Sequence, residues 1–265
     1  MKKLQDIALL MTLSSVLILT LTGCSGGSRN DPPKDDHIKR VSLQMTTFCE
    51  NDPYTTLQYN FARNIGDGAG ITFGCIGFTT GTFSGNIVIQ HYTALNPNNV
   101  LAKYIPALNR IDSIARASGG KTSDTTGLDN FIQDVQNCFD PLFRQAQIYI
   151  LNQKYWNPAV NAAAEIGAIY PISLAFIYDM CVNHGAEGAQ RYINQTNTAM
   201  GGSPKNGIDE KQWLTKCISI RYNAFKNDRC YAYLRVLNSG NLNLVTPFPF
   251  TCYGDTATID GNVGY

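Results

Sequence analysis

Between residues 57 and 75 the hydrophobic pattern has a period of two, whereas most other periodic stretches of the chain follow the period of a helix. Leu57, Tyr59 and Phe61 alternate with polar neighbours, and so do Ile71, Phe73 and Cys75. Ile65-Gly66-Asp67-Gly68-Ala69-Gly70 lies between them, a turn with three glycines. Two short strands joined by such a turn read as a β-hairpin. A sheet this small cannot build the core of a long chain, so helices must pack around it. The expected class is mainly α, an α+β chain in one domain of two lobes. A cleft separates the lobes, and the small β-hairpin or sheet lies near residues 55–80.

The helical segments follow from spacing and punctuation. Ile38, Val41, Met45 and Phe48 are spaced 3, 4 and 3, one face of a helix. Asn51-Asp52-Pro53 stops that helix, which leaves Glu50 at its end. Asn96-Pro97 is a cap and first-turn pair, opening a helix that runs toward Ala117. Ser118 to Gly127 is a polar break and is read as a lobe junction. Further helices are expected over 128–139, 141–154, 158–183, 187–199 and 208–226. Pro171 should kink or split the long one, and His184-Gly185 should end it with glycine as the C-cap. Pro247 and Pro249 mark an extended C-terminal segment. No internal repeat is present.

The amino terminus is organised differently. Lys2 and Lys3 precede an apolar stretch from Ile7 to Leu21, the pattern of a signal peptide rather than a full membrane span. It ends in Leu21-Thr22-Gly23-Cys24, which resembles the bacterial lipobox, whose cysteine is lipidated and becomes the first residue. Ser25 to Asp36 holds Gly-Gly, Pro-Pro and Asp-Asp and no hydrophobic period, a flexible tether. The expected organisation is a signal peptide over 1–23, a tether over 24–37 and a folded domain over 38–265. The protein is then extracytoplasmic and membrane-anchored through Cys24, or secreted if the lipobox is not used.

Charge and cysteine content narrow the function. Charged residues make up 15% of the 265, against roughly a quarter in ordinary globular chains, and the net charge is +1. Losing Lys2, Lys3 and Asp6 with the signal peptide leaves equal numbers of each sign. Such a chain lacks the basic surplus of an electrostatic nucleic-acid binder. Seven cysteines follow Cys24, so at least one is unpaired in an oxidising compartment, with one or two bridges among the rest. No CxxC or His-spaced pair suggests zinc, and no metal or organic cofactor is expected.

The catalytic candidates emerge by elimination. Histidines are few after Cys24 (His37, His91 and His184), and no GxSxG elbow, HExxH, Walker loop or EF-hand pattern is present. The Gly66-x-Gly68-x-Gly70 run joins strands rather than opening a helix, and its Asp67 would repel phosphate. Carboxylate chemistry remains. Glycoside hydrolysis needs one acid to protonate the leaving oxygen and a second carboxylate to activate water or attack the sugar. Glu50 at a helix end and Asp67 in the hairpin turn could face each other across the cleft.

A resemblance extends over the folded part. Glu50-Asn51, Tyr59-Asn60-Phe61, Ile65-Gly66-Asp67-Gly68-Ala69-Gly70-Ile71-Thr72, Gly77-Phe78 and Gly81-Thr82 resemble the glycoside hydrolase family 46 chitosanases. So do Gln90-His91-Tyr92-Thr93, Leu101-Ala102-Lys103-Tyr104, Phe143-Arg144-Gln145-Ala146-Gln147, Asn157-Pro158-Ala159-Val160, Asp179, His184-Gly185, Arg221, Arg229 and Tyr253-Gly254-Asp255. These blocks stand in order across roughly residues 40–260.

The resemblance implies a lysozyme-like, two-lobed catalytic domain and internal, inverting cleavage of β-1,4-linked glucosamine polymers such as chitosan by a monomer. It implies Glu50 as general acid, Asp67 as general base and Thr72 as a holder of the attacking water. Asp179, Arg221 and Arg229 would form an ionic cluster behind the cleft, and His184 reads as a helix-end histidine or a contact to the sugar. The chain departs from the family at Ala69, Ile71 and Ser84. An aspartate that pairs with a glucosamine ammonium is expected where Ser84 stands. Losing one desolvated ion pair could cost ~2–5 kcal/mol of recognition. Three readings follow: a chitosanase, the same machinery on partly acetylated chitosan or peptidoglycan, and a non-catalytic glycan-binding lipoprotein.

Overall fold

Helix α1 (Asp36–Asn51) runs through the centre of the protein in a computed structural model that describes residues 36–51 and 54–264. The signal peptide, Cys24 and most of the tether lie outside the described residues. Helix α1 takes in Asp36 and His37, the last two residues of the expected tether. The predicted apolar face is buried, and so is every residue from Val41 to Cys49. The polar positions inside this helix are satisfied by specific partners. Ser42 Oγ donates to the Ile38 carbonyl at 2.7 Å, Gln44 Nε2 donates to Asp260 Oδ1 at 3.0 Å, and Thr46 Oγ1 donates to Asp179 Oδ1 at 3.2 Å. A buried helix can carry polar residues only when each one finds such a partner.

One lobe is built on the small sheet. Strands β1 (Ala62–Arg63), β2 (Thr72–Phe73) and β3 (Phe78–Thr79) form an antiparallel sheet in the order β1-β2-β3. Arg63 pairs with Thr72, and Thr72 with Thr79. Helices α2 (Ser84–Leu95), α3 (Ile105–Ala117), α4 (Phe131–Gln136) and α5 (Pro141–Leu151) surround it. Phe73 stacks edge-on against Phe131, which meets Tyr104 in the same way.

The other lobe packs α1 with α6 (Asn157–Ile166), α7 (Pro171–Met200), α8 (Glu210–Phe225), α9 (Asp228–Asn238) and a hairpin of β4 (Phe248–Cys252) and β5 (Asp255–Ile259). Its aromatic cluster is separate: Phe176 meets Tyr233, and Tyr233 and Phe48 both meet Phe250. Between the lobes, α5 continues through a π-helical turn, Asn152–Trp156, directly into α6. Pro158 has no N–H to offer the carbonyl four residues back. The wider turn, in which Asn157 N–H donates to the Asn152 carbonyl, accommodates it.

Several expectations change. The first strand begins at Ala62, because Leu57 N–H instead donates to the Val263 carbonyl at 3.0 Å. Asn96 closes α2 through the Tyr92 carbonyl, and α3 opens only at Ile105 with Pro106 in its first turn. Pro171 does split the helix expected over 158–183: α6 ends at Ile166 and Pro171 opens α7. As expected, Gly185, at φ 70° and ψ 164°, ends a first helical segment of α7, and a second segment runs on to Met200. Helix α9 was not expected, and the extended segment marked by Pro247 and Pro249 is strand β4, paired with β5 in a hairpin.

One disulfide joins Cys49 to Cys252, and Cys75, Cys138, Cys181, Cys217 and Cys230 are buried free thiols. A bridge that closes a loop of 203 residues contributes about 2–5 kcal/mol by restricting the unfolded chain.

Candidate active site

Glu50 is exposed at the last turn of α1, and the residues behind it fix its position. Arg229, in the first turn of α9, is 2% exposed and pairs with Glu50 Oε1 and with Asp179 Oδ1. Its Nε also donates to both Asp179 oxygens at 3.1 and 3.2 Å. Arg221 Nη1 donates to Asp179 Oδ2 at 2.7 Å. Asp179 is fully buried. Burial works to raise its pKa, but Arg229 and Arg221 outweigh it and hold the carboxyl below the usual carboxylate range. Two guanidiniums around one buried carboxylate leave a surplus of positive charge, and Glu50 balances it at the edge of the cluster.

His184 completes the cluster from the kink of α7. Its Nε2 accepts from Arg221 Nε at 3.1 Å, so its proton sits on Nδ1. Burial and the facing Arg221 push the imidazole down to about 4. The ring packs edge-on against Tyr192 and Phe225. His184 is thus a neutral prop for Arg221.

Asp67 is presented by the turn between β1 and β2. Its Oδ1 accepts from Ala69 N–H at 2.9 Å, a local turn that the small residues around it permit. The polar stretch read as a lobe junction braces this turn. Lys121 Nζ donates to the Asp67 carbonyl at 2.6 Å, and Thr122 N–H donates to the Gly81 carbonyl at 3.1 Å. Arg110 holds the same stretch through Asp124, at 2.8 and 3.1 Å.

Glu50, Asp67 and Thr72 line one cleft of about 330 Å³, together with Phe61, Ile65, Ile76, Gly77 and Thr79. Thr72 is buried in the middle strand, and its Oγ1 has no hydrogen-bond partner among the described residues. A second groove of about 650 Å³ shares Phe61 with the cleft and is walled by Tyr54, Gln58, Tyr59, Asn60, Arg144 and Gly264.

Ser84 stands apart. It is buried at the start of α2, where its hydroxyl accepts from Thr79 N–H at 3.0 Å and donates to the Thr79 carbonyl at 3.3 Å. It closes β3 and is not among the residues lining the cleft.

Lys121 and Tyr155, beside the site, were not singled out from sequence, and Tyr253 entered only within the block Tyr253-Gly254-Asp255 without a role. Lys121 lies in a segment whose composition reads as a plain break. The phenol of Tyr155, on the π turn, is pushed up by burial and lies within the electrostatic reach of Glu50. Tyr253 lies at the tip of the β4–β5 hairpin, within reach of Arg229 and Glu50. The irregularity of the helix around Pro158 is the only local signal for Tyr155.

The chain matches the model of glycosyl hydrolase family 46 over residues 44–248. It is 34% identical over 230 residues to a chitosanase of Bacillus subtilis (strain 168), covering 85% of this chain and 79% of that protein. A Streptomyces chitosanase is 32% identical over 238 residues, 85% of this chain and 83% of its own. The fold superposes on the crystal structure of native chitosanase from Bacillus subtilis MY002 with a TM-score of 0.77 and 31% identity, covering 86% of this chain and all of that one. It superposes equally well, at 28% identity, on a Gynuella sunshinyii chitosanase in complex with chitotetraose, covering 86% of this chain and 99% of that one. A carboxylate pair in one cleft and a two-lobed, mainly helical fold with a small sheet are what this kinship would lead one to look for: the chain belongs to glycosyl hydrolase family 46 and is a glycoside hydrolase.

Proposed function

We propose that the protein cleaves β-1,4-glucosamine linkages within chitosan, with inversion at the anomeric carbon. The observation that carries this reading is the presence of Glu50, Asp67 and Thr72 on a single cleft. Glu50 gives a proton to the glycosidic oxygen as the bond to the anomeric carbon breaks. Asp67 takes a proton from a water that attacks that carbon from the opposite face. The Thr72 hydroxyl, buried and without a partner among the described residues, is suited to hold that water beside Asp67. The ion pair with Arg229 orients the Glu50 side chain between turnovers, and no step calls for a metal or cofactor.

A second reading keeps the machinery and changes the glycan. Ser84 favours it, because its hydroxyl is engaged by the Thr79 backbone and offers no charge to a sugar ammonium. Product analysis on chitosans of graded acetylation and on peptidoglycan separates the two.

The test is an assay of the chain from about residue 30 on highly deacetylated chitosan. Reducing ends should appear with the parent and fall by at least ~100-fold with Glu50→Gln, the scale expected for loss of a general acid. Equal release by both proteins would remove Glu50 from the mechanism. Glycan binding without turnover by the parent would favour a non-catalytic role. We further propose that Cys24 carries a lipid and holds the enzyme at an extracytoplasmic membrane surface. The motif Leu21-Thr22-Gly23-Cys24 supports this.

A further inference from the structure

Three pairs of adjacent residues are tied together beside the cleft. Cys49 and Glu50 lie in the last turn of α1, Asp228 and Arg229 begin α9, and Cys252 ends β4 with Tyr253 directly after it. Cys49 is bonded to Cys252, with their Cα atoms 5.8 Å apart. Arg229 is paired with Glu50. Tyr253 N–H donates to Asp228 Oδ2 at 2.6 Å. Both residues of each pair take part in a tie, Tyr253 through its backbone N–H alone, so its ring is left uncommitted. That ring stands exposed, as Glu50 does.

Tyr253 is an unexpected residue for its backbone position. Strand β4 ends at Cys252 and β5 begins at Asp255, so Tyr253 and Gly254 form a two-residue hairpin loop, with φ of 54° and 96°. Such a loop needs positive φ at both central residues, and Asn, Asp or Gly fit the first of them with least strain. A bulky tyrosine there is unfavourable. It gains little packing in return, because the residue is 53% exposed. Strain held at a well-tied position beside a reacting group is characteristic of a functional side chain. The phenol is also close enough to Arg229 and Glu50 to sense both charges.

We infer that Tyr253 is a substrate-positioning residue, an aromatic face on which the sugar next to the bond protonated by Glu50 stacks. An exposed ring offers the apolar face of a pyranose both contact area and C–H contacts. The disulfide and the Asp228 hydrogen bond hold that ring in register with the acid. This inference rests on the assignment of Glu50 above.

The experiment compares the protein with Tyr253→Asn and Tyr253→Phe, using glucosamine oligosaccharides and chitosan as substrates and thermal melting as the control. Asn suits the turn, so Tyr253→Asn should melt at or above the parent temperature. Its kcat/KM should nevertheless fall at least ~10-fold, mainly through KM. Tyr253→Phe should keep most of the activity, since the ring remains. Unchanged kcat/KM in Tyr253→Asn would overturn the inference. So would a loss of activity that merely tracks a lower melting temperature. Failure of the Glu50 assignment is read separately, as turnover that survives in Glu50→Gln.

Discussion

Arg229 touches two carboxylates at once, and much of the site follows from that. A lone Asp179 at 0% exposure would be expensive to ionise, and two arginines around it overcompensate. The surplus charge is what Glu50 meets at the end of α1. Burial, together with that surplus, keeps His184 neutral. Its pKa in the folded protein, about 4, lies below the ordinary 6.5, so the unfolded chain binds the proton more readily. Stability from this group is fully present above about pH 6.5 and is lost as the pH falls toward about 4. The ring is only partly buried, so screening limits the effect to ~1–2 kcal/mol. Melting of the parent and of His184→Gln between pH 4 and 7 checks it. The parent should lose more stability on acidification, and parallel curves would make the histidine electrostatically silent. Sequence makes part of this cluster legible, because an acid in the apolar stretch from Leu174 to Val182 must find a cation. It does not reveal that one guanidinium reaches both Asp179 and Glu50, since that depends on how α1, α7 and α9 meet.

The elements around Asp67 were less legible than the residue itself. A period of two locates the sheet, but the register waits on the C-terminal segment, which takes the Leu57 N–H. Helix α9 is hidden because only Lys226 and Asn227 separate it from α8. The β4–β5 hairpin is hidden because Tyr253 stands where Asn or Asp would announce a turn. The brace from residues 118–127 is invisible in sequence, since its contacts with the hairpin are largely to backbone atoms. It depends on Gly81, whose N–H donates to the Ala69 carbonyl at 2.9 Å. A Cβ at Gly81 would collide with the Thr122 carbonyl oxygen and lie 2.8 Å from the Ala69 oxygen. Gly81→Ala should therefore push the brace off the turn. A stability loss of ~1–3 kcal/mol and a fall in kcat larger than that in Tyr253→Asn are expected from melting and steady-state kinetics. An unchanged kcat would show that the brace does not position Asp67.

Across the whole molecule, α1 joins two functions at its two ends. Its first turn takes in Asp36 and His37, on the side of the proposed lipid anchor, and its last turn carries Cys49 and Glu50. If Cys24 bears a lipid, the full chain expressed in a bacterium should sediment with membranes. Cys24→Ala should move it to the soluble fraction with unchanged specific activity, and identical partitioning of the two proteins would refute the anchor. At a rise of 1.5 Å per residue, the anchored end of α1 lies about 20 Å from Glu50. The opposite terminus is placed differently, because Gly264 forms part of the groove that shares Phe61 with the cleft. The two ends are therefore unequal handles for a biosensor or an enzyme resin. A support coupled ahead of Asp36 leaves the cleft facing the bulk liquid, free to admit a long polymer. One coupled behind Gly264 begins at the wall of the groove that adjoins the cleft through Phe61.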